Sequence, residues 1–308
     1  MTPVPLSGIQ HTIEHGDYAA TIASVGASLR SLTHRGRDLV VPFDADEVRP
    51  AYRGATLAPW PNRVVDGRWS LDGREQQLPL TEPSRGHALH GLASWLAFET
   101  ADASADAVTL TATIEPQSGY PFRVRVDVTY RLGDDGLTQT VSASNEGAGR
   151  APFGTGPHPY LVAGPSPLDE WTLALPASEV LAVTPDRLIP TALASVETEA
   201  GGIFDFRRER AIGRTEIDHA FTGLARDASG VATVTVTDPA GGGVAMRWDA
   251  GCPWVQIHTA DLPDPASNRL GLAVEPMTCP PDAFNSGTDL VWLETGSLFR
   301  VAWTIAAI

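Results

Sequence analysis

The sequence of 308 residues contains no lysine, and all 22 of its basic residues are arginine. Without lysine the chain cannot form a Schiff base, anchor pyridoxal phosphate or provide the lysine of a Walker A phosphate loop. Cysteine is nearly as scarce, since Cys252 and Cys279 are the only two. Two cysteines are too few for a disulfide framework or a zinc cluster, so we expect two small buried thiols.

Long apolar runs are missing as well, and no stretch approaches the roughly 18 residues that a membrane helix needs. The first residues show no basic segment followed by an apolar one, so no signal peptide is predicted. The net charge is -15 and the isoelectric point is about 4.8, which would repel nucleic acids and anionic membranes. We therefore expect a cytoplasmic protein that binds neither of them.

Strict alternation of apolar and polar residues is the main signal that is present. Over residues 122–132, Phe122, Val124 and the other even positions are apolar or aromatic, whereas the odd positions are Arg, Asp or Thr. This pattern predicts a strand with one buried face. A Gly-Asp-Asp-Gly turn at 133–136 and a second alternating stretch at 137–144 complete a predicted β-hairpin.

Similar alternation recurs at residues 108–114, 231–237, 244–248, 254–259 and 299–305, whereas helical periodicity is nearly absent. Apolar residues make up 43% of the chain, enough for a substantial core. The sequence therefore predicts an all-β fold, a large antiparallel β-sandwich with few short helices. No linker or repeat is visible, so we expect a single domain over residues 1–308.

Two residues stand in contexts that suit acid–base chemistry. His158 lies between Pro157 and Pro159, which restrict the backbone and so aim the imidazole, as a general acid requires. Glu275 ends an apolar strand before Pro276, where partial burial would raise the carboxyl pKa toward that of a useful base. The alternatives are a turn histidine without a role and a rim carboxylate paired with arginine.

Two further segments are candidates for binding a polar ligand. Asn62 and Arg63 follow a Pro-Trp-Pro sequence that should hold them rigid, although Arg63 could instead tie down a loop. His87 and His90 share a glycine-flanked loop. Because a third ligand is not apparent, their spacing is weak support for a metal site. Two alternatives are that the histidines form hydrogen bonds to a ligand, or that they lie in a surface loop without a role.

Later in the chain, Asp218 could accept hydrogen bonds from a polyol or simply cap a turn. Trp254, Gln256 and His258 share one face of their predicted strand. An aromatic ring, an amide and an imidazole together can bind a sugar, but they also occur on ordinary polar sheet faces. Of the three, we select Gln256 as a candidate.

The order of these motifs along residues 62–285 resembles the aldose 1-epimerase (galactose mutarotase) family. The motifs that carry the resemblance are Asn62-Arg63, Leu89-His90-Gly91, Gly119-Tyr120-Pro121, His158-Pro159-Tyr160, Asp218-His219 and Val274-Glu275-Pro276 through Asn285. Any one of them is weakly specific, and six in order are specific. The resemblance covers nearly the whole chain.

The resemblance implies a galactose mutarotase-like supersandwich that interconverts the α and β anomers of a hexose without metal or organic cofactor. It implies that Glu275 removes the proton from the anomeric hydroxyl and that His158 protonates the ring oxygen. The sugar-binding positions that it implies are Arg63, His90 and Asp218, with Asn62 and a looser match at Gln256. The expected partner is a monosaccharide, and the expected assembly is a monomer or homodimer.

Two departures from galactose mutarotases bear on the substrate. His87 stands where those enzymes commonly carry Asn, and Leu92 stands where they commonly carry a second glycine. Residues 54–63 and 80–83 are similar to a bacterial subgroup with relatives linked to sulfoquinovose use. Relatives that act on hexose 6-phosphates grip an anion with basic residues, for which Arg53 and Arg85 are candidates. An anionic hexose, hexose 6-phosphate or sulfoquinovose, is therefore the alternative substrate.

Two alternatives lie outside mutarotation. A non-catalytic carbohydrate-binding protein would need the sugar-binding residues but neither His158 nor Glu275. A glycoside hydrolase or lyase would use Asp218 and Glu275 as a carboxylate pair at a defined separation, and it would leave His158 without a role.

Overall fold

A computed structural model describes residues 3–308, and strands dominate them. The strands in the first half of the chain are β1 (Gln10–His15), β2 (Tyr18–Ala23), β3 (Ser28–His34), β4 (Arg37–Asp38), β5 (Thr56–Leu57), β6 (Arg63–Val64), β7 (Arg68–Leu71), β8 (Arg74–Gln77), β9 (Ala88–Leu89), β10 (Glu99–Ala103), β11 (Ala107–Ile114), β12 (Val124–Gly133), β13 (Gly136–Asn145) and β14 (Ala151–Phe153). Those in the second half are β15 (Gly156–Pro157), β16 (Tyr160–Leu161), β17 (Thr172–Ala174), β18 (Ala177–Val183), β19 (Pro190–Ser195), β20 (Arg210–Ala211), β21 (Asp218–Leu224), β22 (Ala232–Thr237), β23 (Gly243–Trp248), β24 (Trp254–His258), β25 (Leu272–Met277), β26 (Val291–Leu293) and β27 (Leu298–Ala307).

Helical structure is limited to single turns. The helix α1 (Ala283–Ser286) has four residues, and 3₁₀ turns lie at Pro50–Tyr52, Val65–Gly67, Ala93–Trp95, Leu168–Glu170 and Glu199–Gly202. Within residues 3–308, no helix has the length and apolar character needed to cross a bilayer.

The largest sheet has nine antiparallel strands in the order β10-β11-β12-β13-β27-β23-β22-β17-β20. Its centre contains the predicted hairpin, in which Gly133 pairs with Gly136 and two residues form the turn. Val124, Val126 and the other even positions of β12 are buried, as the alternation predicted. The strand begins two residues later than predicted, because Phe122 and Arg123 lie outside the ladder.

A six-stranded sheet, in the order β16-β25-β24-β21-β18-β19, carries most of the chemistry. Its odd-numbered side chains on β24, Val255 and Ile257, enter the main hydrophobic core. The even positions Gln256 and His258 therefore lie on the opposite face, together with their cross-strand neighbours. On one side of β24, Gln256 pairs with Glu275 of β25, and on the other side His258 pairs with Asp218 of β21.

The remaining strands close the fold around that core. A four-stranded sheet, β1-β2-β3-β4, packs against the nine-stranded one, and four two-stranded ladders join β5 to β15, β6 to β9, β7 to β8 and β14 to β26. One contiguous cluster of buried apolar side chains draws on all three larger sheets. These features confirm the predicted all-β antiparallel sandwich. Cys252 and Cys279 are buried free thiols, as expected.

Candidate active site

A cavity of about 220 Å³ opens on the polar face of the six-stranded sheet. It contains both predicted acid–base residues and all five predicted sugar-binding residues. The residues that line it are Ala51, Tyr52, Asn62, Arg63, Glu82, Arg85, Leu89, His90, His158, Tyr160, Asp218, Gln256, His258, Asp261, Leu262 and Glu275. Segments more than 200 residues apart in sequence therefore meet at one place.

His158 and Glu275 face each other at the floor of this cavity. The Nε2 atom of His158 lies 3.5 Å from Oε1 of Glu275, and the two residues are only 4% and 1% exposed. Within the described chain, Nδ1 of His158 and Oε2 of Glu275 are buried without a hydrogen-bond partner. Both groups are thus held close together with atoms free for a ligand.

The backbone on both sides fixes the position of each group. The N–H of His158 donates to the carbonyl of Ala55, and its carbonyl accepts from the N–H of Gly54. Glu275 lies inside β25 rather than at its end, since the strand continues through Pro276 to Met277. The expected strand end is wrong because β24 pairs with β25 along its whole length.

Burial dominates the electrostatics of this pair. It raises the pKa of the Glu275 carboxyl well above its usual value, and the negative charge of Asp218 adds to the rise whereas Arg63 opposes it. Burial also lowers the pKa of the His158 imidazole well below its usual value, and positive charge on His258, when that ring is protonated, adds to the fall. Burial therefore reverses the usual order of the two pKa values, so that the carboxyl binds a proton more tightly than the imidazole does.

Arg63 and Arg85 share the carboxylate of Glu82. Arg63 donates from Nε and Nη2 to the two oxygens at 2.8 and 3.0 Å, and Arg85 donates from Nη1 at 2.8 Å. The side chain of Arg63 is nearly buried, whereas that of Arg85 is 37% exposed at the rim. The arrangement orients Arg63 toward Asp218, whose Oδ2 lies 3.7 Å from Nη2.

Asp218 is held from a second side by Gln256, which donates from Nε2 to Oδ1 at 2.6 Å. Asp218 has a lowered pKa because, although burial opposes ionisation, His258 when protonated, Arg63 and this hydrogen bond together favour the carboxylate. The Oε1 atom of Gln256 is buried and accepts no hydrogen bond from residues 3–308. The pair therefore offers an ionised carboxylate and a free amide oxygen.

Aromatic rings and His90 form one wall of the cavity. The His90 ring lies edge-on to His158 at 4.9 Å and beside Tyr52 at 4.7 Å. Its backbone has φ 61°, and its N–H donates to the carbonyl of Asn62. Gly91 follows because any Cβ there would lie 2.1 Å from the carbonyl oxygen of Ala58. Burial lowers the pKa of His90 well below its usual value, so it is neutral.

His87 and Arg53 lie outside the residues that line the cavity. His87 is fully buried, accepting at Nδ1 from the N–H of Asp66 and donating from Nε2 to the carbonyl of Arg187. Arg53 donates to the carbonyl of Pro42. The cavity therefore contains Arg85 but not Arg53, the other arginine that was a candidate for binding an anion.

Tyr52, Glu82, Tyr160 and His258 are lining residues that the sequence analysis did not select. A buried arginine requires a carboxylate partner. Arg63 therefore indicated that an acidic residue lies nearby, but the sequence did not indicate which one. His258 shares its strand face with Gln256, so alternation alone placed it beside the site. Among residues 3–308, no group of three or more His, Cys, Asp or Glu side chains is placed to hold a metal ion.

Comparison with known proteins identifies the family of the chain. Residues 10–305 match the sequence profile of the family described as Aldose 1-epimerase. The chain is 38% identical over 306 residues to a protein of Escherichia coli K12 named "Uncharacterized protein YihR", covering 99% of this chain and 95% of that one. It is 29% identical to the galactose mutarotase of Rattus norvegicus over 63% of this chain and 58% of the rat protein.

The fold is also shared with a solved structure. The GalM/aldose epimerase homologue of C. elegans superposes with a TM-score of 0.83 at 21% identity, covering 97% of this chain and 100% of that one. This likeness shows the galactose mutarotase-like fold, and the sequence match shows the family. The chain therefore belongs to the aldose 1-epimerase family and is an isomerase of the mutarotase class.

Proposed function

We propose that the protein interconverts the anomers of a neutral hexose, with Glu275 as the base and His158 as the acid. The observation that carries this proposal is the buried pair itself, an imidazole and a carboxyl 3.5 Å apart. The anomeric hydroxyl oxygen and the ring oxygen of a pyranose are bonded to the same carbon. A base and an acid that serve these two oxygens must therefore lie close together, as this pair does.

Each step moves one proton and one bond. Glu275 takes the proton of the anomeric hydroxyl, the C1=O double bond forms, the bond from C1 to the ring oxygen breaks, and that oxygen takes a proton from His158. Rotation about the C1–C2 bond presents the other face of the aldehyde. Ring closure then returns the proton from Glu275 to O1 and the proton of the attacking hydroxyl to His158.

The shifted pKa values favour one direction of this exchange. Ring opening carries one proton in total from His158 to Glu275 by way of the sugar. Burial weakens the hold of the imidazole on its proton and strengthens that of the carboxyl, so it favours the neutral pair with the proton on Glu275 over the ion pair from which ring opening starts. The proton transfer therefore assists ring opening, and ring closure must regenerate the ion pair.

The other lining residues would bind the hydroxyl groups. We assign Arg63 and Asn62 as donors, Asp218 and Gln256 as acceptors, and neutral His90 to either function. All five line the same cavity as the acid–base pair. A polyol that presents both donors and acceptors matches this mixture.

Charge balance supports a neutral sugar over an anionic one. Arg63 and Arg85 are both bonded to Glu82, and Asp218 lies beside Arg63, so two positive charges meet two negative charges. Asp261, a further carboxylate of the lining, accepts from Arg269. An anionic substrate would have to compete with these partners.

One observation favours the alternative of an anionic hexose. The Nε atom of Arg85 is buried and bonded to none of the described residues, and its guanidinium stands partly exposed at the rim. A movement of this side chain away from Glu82 would free a cation for a phosphate or sulfonate group.

The test is anomer exchange measured by saturation-transfer NMR on glucose, galactose, glucose 6-phosphate and sulfoquinovose. Acceleration of a neutral hexose supports the proposal. Acceleration confined to the anionic sugars would overturn the choice of substrate and assign Arg85 to specificity. Sugar binding without acceleration of any of the four would overturn the catalytic proposal and favour a binding protein.

The roles are tested by His158→Asn and Glu275→Gln. Each change removes a proton-transfer group and keeps a similar shape, so we expect each to lower kcat about 100-fold or more. Matched controls are His15→Asn and Glu14→Gln on β1, which does not contribute to the cavity. Variants that fold normally and retain the wild-type kcat would contradict the assigned roles.

A further inference from the structure

We propose that His258 is a specificity-determining residue, whose Nε2 atom accepts a hydrogen bond from a hexose hydroxyl other than the anomeric one. The inference rests on the proposed function and names a contact that selects the substrate. Three features of the structure carry it, namely the tautomer of the ring, its place on the sheet and the chemistry of its neighbours.

The tautomer follows from the partners of Nδ1. This nitrogen lies 3.3 Å from the carbonyl oxygen of Ile217 and 4.0 Å from Oδ1 of Asp218. Both oxygens can only accept, so Nδ1 carries the hydrogen. In the neutral imidazole, Nε2 is then a bare acceptor, since the side-chain hydrogen bond of His258 within residues 3–308 uses Nδ1.

The place of His258 follows from strand register. His258 and Gln256 are two residues apart on β24, and Gln256 pairs with Glu275 across the ladder. His258 is therefore the diagonal neighbour of Glu275 on the same face, about 7–8 Å away between backbone positions. A sugar whose anomeric oxygen meets Glu275 would present a more distant hydroxyl to His258.

The neighbours make this end of the cavity rich in acceptors. Gln256 gives its N–H to Asp218, which leaves the amide oxygen free. Asp218 is ionised and accepts only. Tyr160 closes the other side, with its ring edge-on to His258 at 6.4 Å. A cluster of acceptors requires donors, and the hydroxyl groups of a hexose supply them.

The experiment compares kcat/KM for a hexose and its 2-, 3-, 4- and 6-deoxy analogues, measured by exchange NMR. We expect the wild type to lose about 10-fold or more on one analogue, whose missing hydroxyl leaves Nε2 unpaired. His258→Asn keeps an N–H near Nδ1 but removes the acceptor. We expect it to lose activity on the parent sugar and to stop discriminating that one analogue.

Two variants act as controls. His258→Gln places an amide oxygen near the position of Nε2, so we expect partial recovery of discrimination. His15→Asn, on β1, should leave all ratios unchanged. The inference would be overturned if His258→Asn lowered kcat/KM equally for every sugar, or if its kcat/KM ratios between the parent hexose and the deoxy analogues were identical to those of the wild type.

A measurement on the wild type keeps the inference testable if the variants misfold. In ¹⁵N NMR of histidine-labelled protein, saturating hexose should shift the unprotonated Nε2 resonance of His258 and leave Nδ1 protonated. An unchanged Nε2 resonance at saturation would contradict the contact. If the wild type accelerates no hexose, the proposed function fails first, so the two failures are distinguishable.

Discussion

At the scale of single residues, the features that suit the cavity for acid–base chemistry also work against stability. Glu275 is buried with a raised pKa, so its ionised form is unfavourable in the folded state. His158 is buried with a lowered pKa, so its protonated form is unfavourable there. Both groups make folding sensitive to pH, in opposite directions.

The prediction for Glu275→Gln concerns the pH dependence of unfolding. Above about pH 4.3, where an unfolded glutamate ionises, the folded wild type holds a proton that the unfolded chain releases, so its stability falls as pH rises. Glutamine cannot titrate and has no such slope. The free energy of unfolding of the variant should therefore gain on that of the wild type as the pH rises above about 5, by at most about 1.4 kcal/mol per pH unit.

Urea titrations at several pH values measure this difference, and His158 is common to both proteins, so the comparison isolates the carboxyl. The control Glu14→Gln changes an exposed residue of β1 and should follow the wild type. If the free energies of unfolding of the wild type and of Glu275→Gln change in parallel with pH, the pair of His158 and Glu275 does not retain its proton above the ordinary pKa of glutamate.

At the scale of elements, the loop that carries Glu82 and Arg85 is fastened to the hairpin formed by β18 and β19. Arg187, near the tip of that hairpin, donates from Nε to the carbonyl of Arg85. Its own carbonyl accepts from Nε2 of His87. The buried imidazole of His87 thus links two segments about 100 residues apart in sequence, and it positions one wall of the cavity without touching the ligand.

His87→Asn should loosen this wall. Asparagine can still accept from the N–H of Asp66 but is too short to reach Arg187, so a part-buried carbonyl loses its donor, at a cost of about 1 kcal/mol. We expect a lower midpoint of thermal unfolding, and KM raised several-fold more than kcat is lowered, because Arg63 and Arg85 lose their fixed partner.

Steady-state exchange kinetics and calorimetry check both expectations, with His15→Asn as the matched surface variant. A loss confined to kcat would contradict a positioning role, since it would place His87 among the reacting groups. An unchanged unfolding midpoint would show that the link to Arg187 contributes nothing.

At the scale of the whole molecule, β27 joins distant parts of the chain. It lies near the middle of the nine-stranded sheet, paired with β13 on one side and β23 on the other. The core is one contiguous cluster. These features support the prediction of a single domain over residues 1–308, whose parts unfold together.

Differential scanning calorimetry should therefore show one transition, with calorimetric and van't Hoff enthalpies in agreement. Deletion of residues 298–308 should abolish this transition, because β13 and β23 would both lose the hydrogen bonds that they form with β27. Two separable transitions in the full chain would contradict the single domain.

The sequence predicted the longest strands and missed several of intermediate length and all of the two-residue ones. β11, β12, β13 and β22 to β24 each contain several alternating residues, so their pattern is visible locally. By contrast, β5, β6, β9, β15 and β16 have two residues each, too few for any periodicity. Yet β6 carries Arg63, and His158 lies between β15 and β16, so part of the site rests on elements that only distant pairing creates.

By itself, then, the sequence determined the all-β class, the family and the identity of seven site candidates, because alternation, proline contexts and ordered motifs are local properties of the chain. Only the tertiary structure decided that Glu82 orients Arg63, that His87 fastens a loop and that His258 lies beside Asp218. Those contacts depend on strand register and on segments that meet across the fold, and burial at that meeting point sets the pKa values of His158 and Glu275.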